Sequence, residues 1–295
     1  MGVMFGQVLI SGILMGGIYA LISMGLTLIF GVTRIINFAH GEYVMLSMFA
    51  AFVLFERFGL DPYLAAIPIA ALAFLAGAVT QRVIIQPLMN AAHVSQVFAT
   101  LGLSITLMNV ALLIWGADFR SVRTPYEGAV LHLGPWLVGV PRLAAFLVAV
   151  VMMVGLFLFL NRTYLGRAIT AVSQDRMAAL LMGIDVNRTY VIAFGIGIAC
   201  VGVAGAVLTP IYSVFPTVGQ YFGMAAYVVV VLGGLGSMVG ALVGGLVIGV
   251  VEALSGFYIS PGLKEAVYFL IFIVVLVIRP SGLFGIVGSE EMGVK

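Results

Sequence analysis

Charge is what this sequence has least of. Only 8% of its 295 residues are Asp, Glu, Lys or Arg, where a soluble domain carries roughly a quarter. Such a chain cannot cover itself with a surface that water tolerates. Cysteine occurs once, which excludes an internal disulfide and a Cys-rich metal site. Cys200 stands in an apolar stretch and reads as a small packing residue. The three histidines, His40, His93 and His132, fall in separate segments. There is no zinc-type His/Glu pair on a helix, no P-loop and no G-x-S-x-G elbow, so the chain does not read as an enzyme. A net charge of +2 argues against nucleic acid as a partner. Arginine does not recur at regular intervals along any helix, which argues against a voltage sensor. Met1 to Gly6 contains no Lys or Arg, so the first apolar run lacks the n-region of a cleaved signal and is expected to stay as a membrane segment.

What the sequence has is apolar length. Hydrophobic residues make up 63% of it, and its mean hydropathy is +1.24. A hydrocarbon core about 30 Å thick needs about 20 apolar residues per crossing. About nine candidate spans are visible, near 7–30, 42–55, 63–81, 95–115, 142–160, 189–212, 222–236, 237–257 and 264–279. The stretches 42–55 and 222–236 are short and could be half-helices, so eight to ten spans are expected. The fold class is therefore all-α, a polytopic transmembrane bundle with interrupted helices, and residues 1–295 read as a single membrane domain. The longest polar connections are 116–141 and 161–188. Neither can hold a soluble domain, so any ATP and Mg²⁺ would be bound by other chains and no cofactor is expected in this one. The arginines at 162, 167, 176 and 188 place 161–188 on the cytoplasmic side by the positive-inside rule. The Arg82 loop and the tail after Arg279 go with it, and 116–141 falls outside.

Four features exceed what packing requires. Asn37-Phe38-Ala39-His40-Gly41-Glu42, preceded by Arg34, lies between the first two apolar runs. It is either a polar turn at a membrane surface or a helix broken at membrane depth, where freed backbone groups can meet a polar solute. The run Gly233 to Gly249 holds Gly236, Gly240 and Gly244 four apart, and likewise Gly245 and Gly249. That spacing lets another helix backbone approach closely, and Gly233-Gly234-Leu235-Gly236-Ser237 should break the helix. Glu252 stands in an apolar helix and is expected to reach the outer interface. From Arg167 to Met182 the cytoplasmic loop reads as one short amphipathic helix that Gly183 terminates. It lies either on the membrane surface or in a groove of a cytosolic partner, with Met177, Leu180 and Leu181 as anchors.

At these positions the sequence resembles the LivH-type permeases of branched-chain amino acid ABC transporters. The resemblance is carried by Gly25-Leu26-Thr27-Leu28-Ile29-Phe30-Gly31-Val32 running into Ile36 to Tyr43. It continues in Gly166-Arg167-Ala168-Ile169 with Gln174-Asp175-Arg176, Ala178-Ala179 and Leu181-Met182-Gly183-Ile184. The late glycine-rich block and Arg279-Pro280-Ser281-Gly282-Leu283-Phe284-Gly285 complete it. Met177-Ala178-Ala179 and Gly183 align with the Glu-Ala-Ala-x-x-x-Gly pattern of ABC permeases, although the glutamate position is Met177. The resemblance implies a permease subunit of the bacterial inner membrane that imports branched-chain or other neutral amino acids. Its implied partners are a LivM-type permease, two cytosolic ATPases and a periplasmic binding protein. It implies that Asn37 to Glu42 borders the translocation path, and that Gly166, Arg167, Asp175, Arg176, Met177, Ala178, Ala179 and Gly183 contact an ATPase. Relatives that carry urea and short amides leave those cargoes open. A self-sufficient carrier or channel would need Glu42, His40 or Glu252 for ion coupling, and would have no use for the 161–188 loop.

Overall fold

The structure, a computed structural model, describes residues 2–285. Its elements are α1 (Gly2–Thr33), α2 (His40–Phe58), α3 (Pro62–Thr80), α4 (Gln86–Leu88), α5 (His93–Trp115), β1 (Val130–Leu133), β2 (Trp136–Gly139), α6 (Val140–Arg162), α7 (Tyr164–Gln174), α8 (Arg176–Leu181), α9 (Val186–Leu208), α10 (Val218–Gly233), α11 (Met238–Tyr258) and α12 (Lys264–Ile278). A single π-turn, Gln81–Ile85, joins α3 to α4, so that Pro62–Leu88 runs as one apolar rod of 27 residues. Among the described residues seven helices are long and apolar enough to cross a membrane, and α10 is a shorter apolar one. The chain is an all-α, multi-pass membrane protein.

Short polar side chains set the helix starts. Asp61 accepts from the Tyr63 N–H with Pro62 behind it, Asp185 from Arg188 and Ser237 from Gly240. Each meets a donor that the first turn would otherwise leave orphaned. α1 and α9 are enclosed by the other helices, while α3, α5, α6 and α12 expose large apolar side chains such as Ile67, Leu113, Val151 and Val277. In water that distribution would aggregate. In lipid it is the expected outer surface.

Two sets of connections lie at opposite ends of the bundle, separated by the roughly 48 Å length of the 32-residue α1. At one end Gln7 exchanges hydrogen bonds with the backbone of Leu137. Tyr126 donates to Asp61 at 2.5 Å, and Arg120 pairs with Val214 through a β-bridge. At the other end Arg34, following α1, donates to the carbonyl of Ser173 in α7, and Leu283 and Phe284 pair with Leu232 and Gly233.

Two expectations are revised, and one connection gains structure that the sequence left unassigned. The connection 116–141 contains the antiparallel hairpin β1–β2, closed by Gly134 at φ 61°. Residues 167–182 form two helices rather than one. Asp175 is extended (φ −148°), and its carboxylate accepts from the Met177 and Ala178 N–H groups, so a local cap competes successfully with helix continuation. Gly236 is not part of a helical ladder. It stands in the turn 234–237 at φ 83°, so the packing glycines on α11 are Gly240, Gly244, Gly245 and Gly249.

Those four glycines face backbone. A Cβ at Gly249 would strike the backbone of Gly16 and Gly12, and one at Gly245 the backbone of Ala20, both in α1. Gly240 lies against Gly233, and Gly244 against Val229, both in α10. The partner helices are in the same chain, and the matching small residues of α1 are Gly12, Gly16 and Ala20.

Candidate translocation site and coupling surface

The segment between α1 and α2 is irregular over 34–39 only. His40, Gly41 and Glu42 form the first turn of α2, so half of the expected polar break is helical. Asn37, Ala39, His40 and Glu42 are all buried. Asn37 Oδ1 accepts from Ala39 N–H at 3.1 Å, and its carbonyl accepts from the Tyr227 hydroxyl at 2.6 Å. His40 Nε2 lies 3.0 Å from the Ile22 carbonyl in mid-α1. Phe38 packs on the Tyr227 ring at 5.5 Å between centroids, above an apolar cavity of about 180 Å³ lined by Leu26, Phe30, Val231 and Leu235 among others. Gly41 abuts Gly219 and Gly223 of α10 so closely that a Cβ there would meet their backbone. The turn is thus pinned on α10 through glycine contacts rather than side-chain packing. Three of its buried polar atoms, Asn37 Nδ2, His40 Nδ1 and Glu42 Oε2, have no hydrogen-bond partner among the described residues.

At the C-terminal end of α1, α7 presents a buried face of Gly166, Ala168, Ile169 and Val172 to the bundle. Gly166 lies against the Phe159–Leu160 backbone. α8 does the opposite. Ala179 is buried, whereas Met177, Leu180, Leu181 and Met182 are exposed, the last two more than 80%. Gly183, at φ 78°, ends the helix. Arg176 lies over the Tyr190 ring at 5.9 Å; Arg167 and Asp175 are exposed. The residues named for partner contact therefore divide: Gly166 and Ala179 hold the element onto the bundle, whereas Met177, Leu180 and Leu181 face away from it, with Met182 beside them.

The Arg34 link joins these two regions. Arg34 adopts φ 59°, the one positive φ at a non-glycine among the described residues, a conformation that costs an L-residue roughly 1–2 kcal/mol. From there its Nη2 reaches the Ser173 carbonyl of α7 at 2.9 Å.

The sequence profile described as "Branched-chain amino acid transport system / permease component" matches residues 8–276. The chain belongs to that permease family. It is 34% identical to the high-affinity branched-chain amino acid transport permease LivH of Salmonella typhimurium, across 95% of this chain and 96% of the relative. The same figures hold for LivH of Escherichia coli. Identity to BraD of Pseudomonas aeruginosa is 33%, over 95% of each chain. No solved structure matches.

The permease carries one polar cluster that sequence reasoning missed. Glu252 of α11 is its centre. It is buried, and its oxygens accept from Tyr19 (2.5 Å), Tyr221 (2.5 Å) and Lys264 (2.6 Å). Lys264, 12 residues on in the chain, folds back from the start of α12. The sequence signal was a single carboxylate with a single lysine nearby, while the two tyrosines come from distant helices and leave no spacing to read. Removing one member of a buried pair costs about 3–5 kcal/mol because the other charge is stranded, whereas replacing both with apolar groups is often neutral. We expect Lys264→Met to lower the detergent melting temperature of the permease and Glu252→Leu/Lys264→Met to restore most of it. Equal melting of Lys264→Met and the parent would show that the pair contributes no stability.

Proposed function

We propose that this permease is the subunit of an ATP-driven importer through which branched-chain or other neutral amino acids cross the bacterial inner membrane. In this reading it pairs with a LivM-type permease. Two cytosolic ATPases bind ATP and Mg²⁺ and dock on α7–α8, and a periplasmic binding protein delivers substrate at the hairpin end. Residues 1–295 act as one membrane domain. By the element order, the arginines at 34, 82, 162, 167, 176, 188 and 279 fall at the α7–α8 end and those at 57, 120, 123 and 142 at the hairpin end, an excess that supports placing the α7–α8 end in the cytoplasm.

The observation that carries the proposal is α8. An amphipathic pair of helices holds its small residues against the bundle and turns Met177, Leu181 and Met182 outward. A self-sufficient carrier has no use for such an element, whereas a groove on an ATPase would be filled by those three side chains. Through Arg34 and Ser173 the same element reaches the Asn37–Glu42 turn, which borders the solute route. Movement of α7–α8 on ATP binding thereby has a short hydrogen-bonded path to the turn. Weak contacts suit that turn, since capture belongs to the binding protein and a tight site would slow release.

The test is reconstitution of the permease with its partner chains in liposomes. Uptake of labelled leucine should require ATP, the ATPases and the loaded binding protein. Uptake by this chain alone, driven by an ion gradient, would overturn the proposal.

A further inference from the structure

Among the described residues two carboxyl groups are buried, Glu42 and Glu252, and they are treated very differently. Glu252 meets one ammonium and two phenols. Glu42 meets one hydroxyl: Ser104 of α5 donates to its Oε1 at 3.1 Å. Glu42 is only 2% exposed, and its Oε2 has no partner among the described residues. A buried carboxyl left so under-satisfied is costly and marks a functional position in a membrane protein.

The surroundings say where its missing partner would come from. Across from Oε2 lies the bare Cα of Gly219, close enough that a Cβ there would come within 2.8 Å of the oxygen. Ser104 and Met108 stand one turn apart on α5, with Gln220 of α10 reaching Met108 at 3.4 Å. Gln220 and Met224, one turn apart on α10, are both exposed. Glu42 thus lies behind a seam between α5 and α10 that has side-chain contacts but little packing. The other polar groups of the turn are committed inward: Asn37 caps Ala39 and receives Tyr227, and His40 is held on Ile22. Glu42 Oε2 is the acceptor left over, and it faces Gly219 on the α10 side of the seam.

We propose that Glu42 Oε2 accepts a hydrogen bond from the nitrogen of the solute as it passes along the α5–α10 seam. The chemical class selected is a small solute bearing an amino or amide N–H donor. This rests on the reading of the Asn37–Glu42 turn as the border of the route, and it narrows that border to one oxygen and one side. Ser104 is the positioning residue that holds Oε1, leaving Oε2 toward the passage.

The experiment uses the assembled transporter in liposomes with leucine-loaded binding protein. Glu42→Met keeps the side-chain length and removes the acceptor. Leucine taken up per ATP hydrolysed should fall roughly tenfold or more, the scale of a lost hydrogen bond to a charged group, and Glu42→Asp should recover part of it. Equal uptake per ATP in Glu42→Met and the parent would overturn the inference while leaving the importer reading intact. Absence of ATP-driven leucine uptake by the parent itself would overturn the importer reading instead. Should Glu42→Met fail to assemble, Ser104→Cys in a Cys200→Ser background decides the matter. An aqueous thiol reagent should label the introduced thiol, more slowly during leucine turnover, and inertness in every state would refute a solute path at this seam.

Discussion

Leu181→Glu combined with Met182→Glu is expected to abolish ATP-driven uptake while the permease stays folded in the membrane. Both side chains are exposed by more than 80%, so their replacement removes nothing from the core. If they fill a groove on an ATPase, each is an apolar anchor whose loss costs about 2 kcal/mol or more, and placing a carboxylate in that groove adds desolvation. A combined loss on the order of a thousandfold in complex formation or uptake follows. The measurements are co-purification of the ATPases and leucine uptake in liposomes. Ala179→Glu is the instructive contrast. Ala179 is buried and its substitution should lower the stability of the permease alone, so the two variants separate docking from folding. Unchanged co-purification and uptake in the Leu181/Met182 double variant would remove α8 from the coupling surface.

Gly249→Leu should be the most damaging single change in the bundle. Overpacking a core typically costs about 1–3 kcal/mol when neighbouring side chains can yield. Here the atoms met are backbone of Gly16 and Gly12, which cannot yield unless α1 moves. Because α1 carries Tyr19 and the carbonyl that holds His40, and leads directly into Arg34, displacing it would disturb the polar cluster and the turn together. We expect little folded permease in mild detergent by size exclusion. Gly256→Leu, seven residues on along α11 with nothing within 4 Å of its Cβ position, should be tolerated. Similar yields from both variants would show that the close approach is not needed.

The sequence by itself determined the class and most of the spans. Apolar length and the scarcity of charge leave lipid as the only compatible solvent, and that constraint is local, so each run announces its own helix. It also announced the terminating role of Gly183 and the break at 234–237, because a residue at positive φ is a property of the backbone at one place. Three things waited for the tertiary structure. The α11 glycines required a partner, and α1 supplied it from the other end of the chain and α10 from the preceding helix. Asp175 split the coupling helix because its cap hydrogen bonds outweigh continuation, a balance that composition does not reveal. The contrast between Glu42 and Glu252 was invisible as well. Both are single carboxylates in apolar surroundings, and only the folding back of Lys264 with Tyr19 and Tyr221 satisfies one of them while the other faces a bare glycine. A buried charge is judged by what surrounds it in three dimensions, and that neighbourhood is assembled from helices far apart in the chain.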